Sequence, residues 1–405
     1  MTVHHHYEPV RAPGAPERMA VIDLDAVAHN VRHIRTLIGD RTFIAVVKAD
    51  AYGHGMEEVA RTVLGSGADM LGVVHVSEAL RLRRAGIDAP ILAWLHTPNT
   101  DFEAALNKSI QLGVSGWDLE AVAEAARATG WQARVHLKID TGLGRNGSTL
   151  EKWPELVQRA AEYEEEGVLH VEGIFSHLAV ADEPERAENA EQSDAFARAV
   201  GTARAAGLAP KLVHIANTPG TLVAVDNDDP RSVVGNGVRV GLGIYGLSPF
   251  EGKTSEDLGL IPAMTVQTFI SAVKEVPAGQ GVSYGLHYVT EKPTTLAVVP
   301  VGYADGVPRV ATGGPVRVYP TGSAEPKTYW AVGRIAMDQL VIDLGEPGLA
   351  DPALGYLGAS AVLFGAGEDP RVEEWAEKAG TINYEVVTRI SDRIERVYTG
   401  GEQNL

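Results

Sequence analysis

Ala45–Gly55 reads AVVKADAYGHG: an apolar, β-branched run passes into a lysine and then straight into a turn. Phe43–Val47 predicts a short buried strand, and Lys48 ends it. The turn that follows carries the Tyr52 hydroxyl, Gly53, His54 and Gly55. It lacks the Gly-rich fingerprint that follows the first strand of a doubly wound dinucleotide-binding sheet. A lysine at the C-terminal end of a strand lies on the face where (β/α) barrels collect their active sites. Apolar surroundings penalise the ammonium, lower its pKa and leave a nucleophilic amine, as a Schiff-base lysine requires. Taken alone, Lys48 also reads as a lysine snorkelling to solvent.

Outward from this segment the same rhythm recurs. Phe43–Val47, Met70–Val74, Pro90–Trp94, Ile110–Val114, Ala133–Ile139, Val168–Phe175, Lys211–Ile215 and Gly237–Gly241 are strand candidates. Amphipathic segments lie between them. Leu119, Val122, Ala123 and Ala126 follow the three-and-four spacing of one helix face, as do Leu150, Trp153, Leu156, Val157 and Ala160. Asp118 and Ser148 are candidate N-caps, Gly130 and Gly167 candidate stops. Eight strands alternating with helices predict an N-terminal (β/α)8 TIM-like barrel, with an open doubly wound sheet as the rival. A helix over Asp25–Ile38, preceded by a strand-like run Met19–Asp23, comes before the first barrel strand.

After about Ser255 the texture becomes Val-, Thr- and Ile-rich between Gly/Pro turns, in Ala263–Val276, Thr294–Val301, Thr328–Val332 and Gln339–Leu344. The expected organisation is an arm over residues 1–17, a barrel over 24–255 and a mostly β domain over 256–398, joined by a strand over 18–23. The arm reads as a disordered, solvated tail in which His4, His5 and His6 have only adventitious metal affinity.

Composition narrows the chemistry. The 405 residues contain no cysteine, which excludes a disulfide scaffold, a thiolate nucleophile and Cys-ligated metal. The 53 acidic and 35 basic residues give a net charge of −18, unfavourable for general nucleic-acid binding. No signal peptide and no membrane-length apolar run is visible, so the chain is expected to be soluble and cytoplasmic. Neither an HExxH motif nor a dense His/Asp cluster supports a metal site.

The later strand ends carry polar groups toward one rim. His136 and Lys138 lead into DTGLGRNG, Asp140–Gly147, with Arg145. His177 follows in FSHLAVAD, Asn217 and Thr218 in HIANTPG, and Arg239, Gly241 and Leu242 in VRVGLGIYG. Each has a structural reading by itself; together they form a constellation. The loops after the last two barrel strands match the usual barrel phosphate site, where Thr218 and backbone amides bind an anion. Lysine plus phosphate cradle suggests pyridoxal 5′-phosphate (PLP).

With these motifs the chain resembles the alanine racemase family over about residues 18–398. AVVKADAYGHG is close to that family's PLP-lysine signature, with Asp50 where Asn is common. The resemblance implies that Lys48 carries PLP and is one catalytic base. It implies phosphate ligands at Tyr52, Thr218 and Tyr384 (in TINYEVVTRIS) and at the Gly241 and Leu242 amides, with Asn217 beside them. Arg145 resembles the arginine near the cofactor's phenolic oxygen and a substrate contact, His177 the ring packed on the pyridine, and Arg239 the donor to its nitrogen. Tyr284, in GVSYG, resembles the opposing catalytic tyrosine, which in the family reaches the other subunit's site; a homodimer is implied. Met337 resembles a substrate-carboxylate contact. Asp182, Tyr303 (in GYADGVPR), Arg309 and Arg334 resemble residues of the substrate corridor. Lys138 matches a position carbamylated in some relatives.

The implied activity is interconversion of L- and D-alanine, supplying D-alanine for peptidoglycan. Two bases on opposite faces, Lys48 and Tyr284, would remove and return the α-proton. His177 and Arg239 are the candidates to help the tyrosine act as a base. The alternatives are a broader-specificity racemase, a basic amino-acid decarboxylase, or a non-catalytic PLP carrier.

Overall fold

The computed structural model describes Gly14, residues 16–226 and residues 235–401. Most of the expected arm, including His4, His5 and His6, lies outside them. The chain forms two compact units. One comprises residues 27–51 and 56–260; the other comprises the described residues up to Ala26, Tyr52–Gly55, and the chain from Ile261 onward.

The first unit is a closed barrel of eight parallel strands: β2 (Thr42–Val46), β3 (Met70–Val73), β4 (Ile91–Ala93), β5 (Gln111–Val114), β6 (Ala133–Lys138), β7 (Leu169–Phe175), β8 (Leu212–His214) and β9 (Gly237–Val240). All eight expected runs are strands, and closure through β2–β9 pairing eliminates the open sheet. Ile44, Met70, Leu92 and Leu212 form a buried interior cluster with Trp94 packed on it. Short side chains make room for large interior groups. A methyl on Gly72 would meet the Trp94 ring at 2.7 Å, and one on Gly113 would meet Phe175 at 2.8 Å.

Local signals explain the helices that alternate with these strands. The helix Trp117–Thr129 ends at Gly130, φ 73°, the left-handed stop glycine supplies without strain. Its expected cap is displaced: Gly116 is the N-cap, and Asp118 reaches back from the first turn to accept Ser115 N–H and Gly116 N–H, both at 2.8 Å. Ser148 is likewise not a cap. The next helix is Trp153–Glu165, and Pro154, whose missing N–H costs nothing there, fixes its first turn. Gly167, at φ 73°, follows its end.

The second unit is built on a nine-stranded sheet in the order β11-β14-β17-β16-β15-β18-β10-β1-β19. The strands are β1 (Arg18–Asp23), β10 (Met264–Phe269), β11 (Ala272–Val276), β14 (Thr294–Val299), β15 (Pro315–Tyr319), β16 (Lys327–Val332), β17 (Leu340–Asp343), β18 (Ser360–Phe364) and β19 (Glu395–Thr399); β12 (Gly281–Val282) and β13 (Tyr288–Val289) make a separate hairpin. β1 pairs antiparallel with β10 and parallel with β19. The expected run Ala263–Val276 is two strands, because the chain changes partners. Ile270 N–H still bonds Ala359 O, whereas Ser271 N–H bonds Val298 O. Among the described residues no helix is long and apolar enough to cross a membrane.

Candidate active site

The barrel unit gathers Lys48, Lys138, Arg145, His177 and Arg239 at the C-terminal ends of its strands, close enough for their charges to act on one another. Burial, then the positive charge of Arg145, pulls the Lys48 amine below its ordinary range, while Glu78 opposes them. Burial, Arg239 and Arg145 bring Lys138 down to about 7. His177 is held well below the usual imidazole range, first by burial and then by Arg239, Arg145, Lys138 and Lys48. In a chain of net charge −18 this concentration of basic groups is local, and Arg145 and Arg239 suit it to an anionic ligand.

Arg239 is buried without a carboxylate partner among the described residues. Its Nη1 donates to His214 O at 2.9 Å, and its Nη2 to Ser176 O at 2.6 Å and Ile215 O at 3.1 Å. Nη1 also meets His214 Nδ1 at 2.8 Å. Burial alone brings this guanidinium down to about 9, so it remains charged at neutral pH. The contacts continue inward: His214 Nε2 to His136 Nδ1 at 3.0 Å, and His136 Nε2 to Gln111 Oε1 at 2.7 Å. An arginine can only donate, and a carboxamide oxygen can only accept. One arrangement satisfies every link: both imidazoles neutral, each protonated on Nε2, with all bonds running from Arg239 to Gln111. Burial keeps both rings neutral, His136 down to about 3. Arg239 was legible in the sequence; the interior chain that orients it was not.

His177 and the Arg145 loop share a second buried support. Gln192 accepts Ala179 N–H at 2.9 Å and donates to His177 O and Thr141 Oγ1, both at 3.2 Å. Asp140 accepts Gly142 and Gly144 N–H and shapes the loop that leaves Arg145 exposed. Asp182 is exposed on the loop after β7.

At the last two strand ends, Thr218 begins the helix Thr218–Asp226 and Gly241 leads into the 3-10 turn Leu242–Tyr245. Thr218 Oγ1 ties the two starts together by accepting Gly241 N–H at 3.0 Å. Opening N–H groups of a turn have no partner inside it, so two such starts side by side form an anion cradle. Asn217 acts locally, its Oδ1 accepting Gly220 N–H at 3.1 Å and so bracing the helix start.

In the second unit, Tyr52 and Tyr384 meet edge to face, ring centroids 6.1 Å apart. Burial, then the Tyr384 charge, raises the Tyr52 pKa, keeping it a hydrogen-bond donor. Arg396 organises this pair's backbone. It donates to Gly53 O at 3.1 Å and to Ser391, Ile394 and Ile390 O beyond the helix Asn383–Thr388 that bears Tyr384. GYADG lies along Ala336–Met337: Tyr303 N–H bonds Ala336 O and Ala304 N–H bonds Met337 O, each at 3.0 Å. Tyr303 and Met337 are thereby neighbours, and both are exposed. The buried Asp305 accepts Gly302 N–H and faces Arg393, which also pairs with Asp338 at 2.7 Å. Tyr284 is 71% exposed. The residue before it, Ser283, has φ 61° and ψ −172°, a region normally left to glycine. Ser283 Oγ donates to Arg334 O at 2.5 Å, which holds the strained turn. Arg309 and the side chain of Arg334 are exposed.

Comparison with known proteins agrees over both units. The family "Alanine racemase, N-terminal domain" matches residues 22–249, and "Alanine racemase, C-terminal domain" matches residues 263–398. The chain is 47% identical over 387 residues to the alanine racemase of Beutenbergia cavernae, covering 94% of this chain and 98% of that protein. It is 44% identical over 386 residues to that of Mycobacterium ulcerans, covering 95% of each. The solved structure of the alanine racemase from D-cycloserine-producing Streptomyces lavendulae superposes with a TM-score of 0.88 at 47% identity, covering 95% of this chain and 98% of that one. Matched through both of its units, this chain belongs to the alanine racemase family of isomerases.

Proposed function

We propose that this protein interconverts L- and D-alanine with PLP held on Lys48, using Lys48 and Tyr284 as its two bases. The observation that carries the reading is the Lys48 amine, half-buried and depressed in pKa by desolvation and by Arg145, at the mouth of a barrel that also gathers Arg239. The donor set fits PLP group by group. An amine whose pKa is lowered suits the aldehyde, and the Thr218–Leu242 cradle suits a phosphate. An exposed Arg145 suits the phenolic oxygen, and Arg239, always a donor, suits the ring nitrogen. Tyr52 and Tyr384 supply two phenolic donors for the phosphate.

When bound, PLP supplies an electron sink for the bond that breaks at the α-carbon. The chain's residues do the rest. Lys48 Nζ takes or gives the α-proton on one face, and Tyr284 Oη does so on the other. Arg239, fixed by three carbonyls and His214, would hold PLP by its ring nitrogen as a donor only, which would leave that nitrogen unprotonated and the sink weak. His177 would pack on the ring, and Arg145 and Met337 would receive the substrate carboxylate. Asp182, Tyr303, Arg309 and Arg334 line the corridor. A neutral Lys138 amine is the form that takes up carbon dioxide, and a carbamate there would face Arg145 and Arg239.

The exposed Tyr284, Leu286 and Val289 around the β12–β13 hairpin support a homodimer in which each partner completes the other's site. The role in the cell is to supply D-alanine for peptidoglycan in the cytoplasm. The test is to incubate the purified protein with PLP and either enantiomer of alanine, following both enantiomers and carbon dioxide. Enantiomers have equal free energies, so both reactions are expected to converge on one equal mixture. Carbon dioxide release without the other enantiomer would make the protein a decarboxylase. Lysine or arginine racemised as fast as alanine would make it a broader racemase. Neither reaction would leave a PLP carrier.

A further inference from the structure

Lys48 is followed by four residues in the left-handed region: Ala49, Asp50, Ala51 and Tyr52, at φ 52°, 52°, 55° and 52°. None is glycine or asparagine. Such a turn is costly for an L-chain, so it persists only under outside restraint. Two of the restraints come from one helix, Val76–Arg84, which follows the neighbouring strand β3. Glu78 Oε1 accepts Ala49 N–H at 2.8 Å. One helical turn on, Arg81 Nη1 pairs with Asp50 Oδ1 at 2.9 Å, and Asp50 Oδ1 accepts Met56 N–H at 3.1 Å. Asp50, the departure from the family's usual Asn, thus has a cation to meet it.

Glu78 Oε2 accepts Val74 and His75 N–H, at 2.9 and 3.0 Å, which is the ordinary work of a carboxylate in the first turn of its own helix. The bond from Oε1 to Ala49 serves no helix end. We infer that Glu78 is a positioning residue for the Lys48 amine: it grips the residue next to Lys48 and holds the left-handed turn from which that amine is presented. This rests on the reading of Lys48 as the PLP-bearing base. The charge of Glu78 acts in the same place, opposing the burial and the Arg145 charge that depress the amine.

The test uses the full-length, PLP-loaded enzyme, with amide hydrogen exchange resolved over residues 49–52 and steady-state kinetics on alanine. In Glu78→Ala, exchange there rises about ten- to hundredfold, the effect of losing a charged acceptor. kcat falls at least about tenfold while KM changes less than about threefold, the signature of a misplaced reacting group. Glu78→Gln, with one acceptor oxygen left, gives an intermediate result and serves if the alanine variant fails to fold. Ser77→Gly weakens the same helix without touching Ala49 and changes neither readout. Unchanged exchange in Glu78→Ala, or faster exchange with unchanged kcat, overturns the inference. Borohydride mapping of the unmodified enzyme separates the two readings. A label away from Lys48 removes the base assignment and the positioning role together, whereas a label on Lys48 with unchanged exchange at Ala49 overturns the positioning role alone.

Discussion

Lys138 shows how burial sets the charge of a single residue. Its pKa falls from 10.5 to about 7 on folding. Below pH 7 the folded chain must bury an ammonium; between 7 and 10.5 it has shed a proton that the unfolded chain keeps. Stability therefore rises with pH through that window. Lys138→Met in bicarbonate-free buffer is expected to raise Tm at pH 6, by on the order of 2–4 kcal/mol of stability, with the gain fading toward pH 10.5. A gain that does not vary with pH would contradict the assignment. Arg239 poses the opposite case, a buried cation held by neutral acceptors. Arg239→Glu sets a carboxylate against the Ser176, His214 and Ile215 carbonyls and should destabilise the fold by several kcal/mol, to be read by denaturant titration. Among the enzyme that remains folded, transamination relative to racemisation should rise. That ratio is independent of how much protein survives, so an unchanged ratio would refute the account of Arg239.

Elements differ in how openly the sequence announces them. The barrel strands were legible because they are short β-branched or apolar runs bounded by turn residues. Their ends shift by a residue or two, as when Pro90–Trp94 contracts to Ile91–Ala93. The left-handed turn Ala49–Tyr52 was illegible, since of its four residues only Asp50 is of a type that favours φ > 0; helix Val76–Arg84 helps to hold it from outside. The chain from Arg239 to Gln111 was illegible for another reason. Its members sit on β9, β8, β6 and β5, and only barrel closure brings them together. Gly173 on β7 marks that packing: a methyl there would meet Leu212 O at 2.8 Å and overlap the His136 ring. Gly173→Ala should cost about 1–3 kcal/mol, visible as a lower Tm. An unchanged Tm would mean that His136 is free to move and that the chain is loosely held.

At the scale of the whole molecule, the candidate residues divide between two compact units, with Lys48 in one and Tyr284 in the other. A site completed by a partner's tyrosine predicts more than a dimeric mass of about twice 43.1 kDa. It predicts rescue. Lys48→Ala and Tyr284→Phe homodimers should each be inactive, yet after subunit exchange in an equal mixture about a quarter of unmodified activity should return, because half the dimers are hybrids with one intact site of two. No return despite proven exchange would place both bases in one chain. Fold and family follow from long runs of sequence and were legible early. The orienting contacts behind Lys48, His177 and Arg239 are single hydrogen bonds between distant segments, and they emerged only with the folded chain.

The catalytic expectations depend on Lys48 carrying the cofactor. The most direct test is borohydride reduction of the purified, PLP-supplied protein, with its visible absorbance followed and the labelled peptide identified by mass. The account predicts a visible band, at roughly 420 nm by the cofactor's own chemistry, that disappears on reduction and leaves a single label on Lys48. A label on any other lysine, or no band after PLP is supplied, would contradict it.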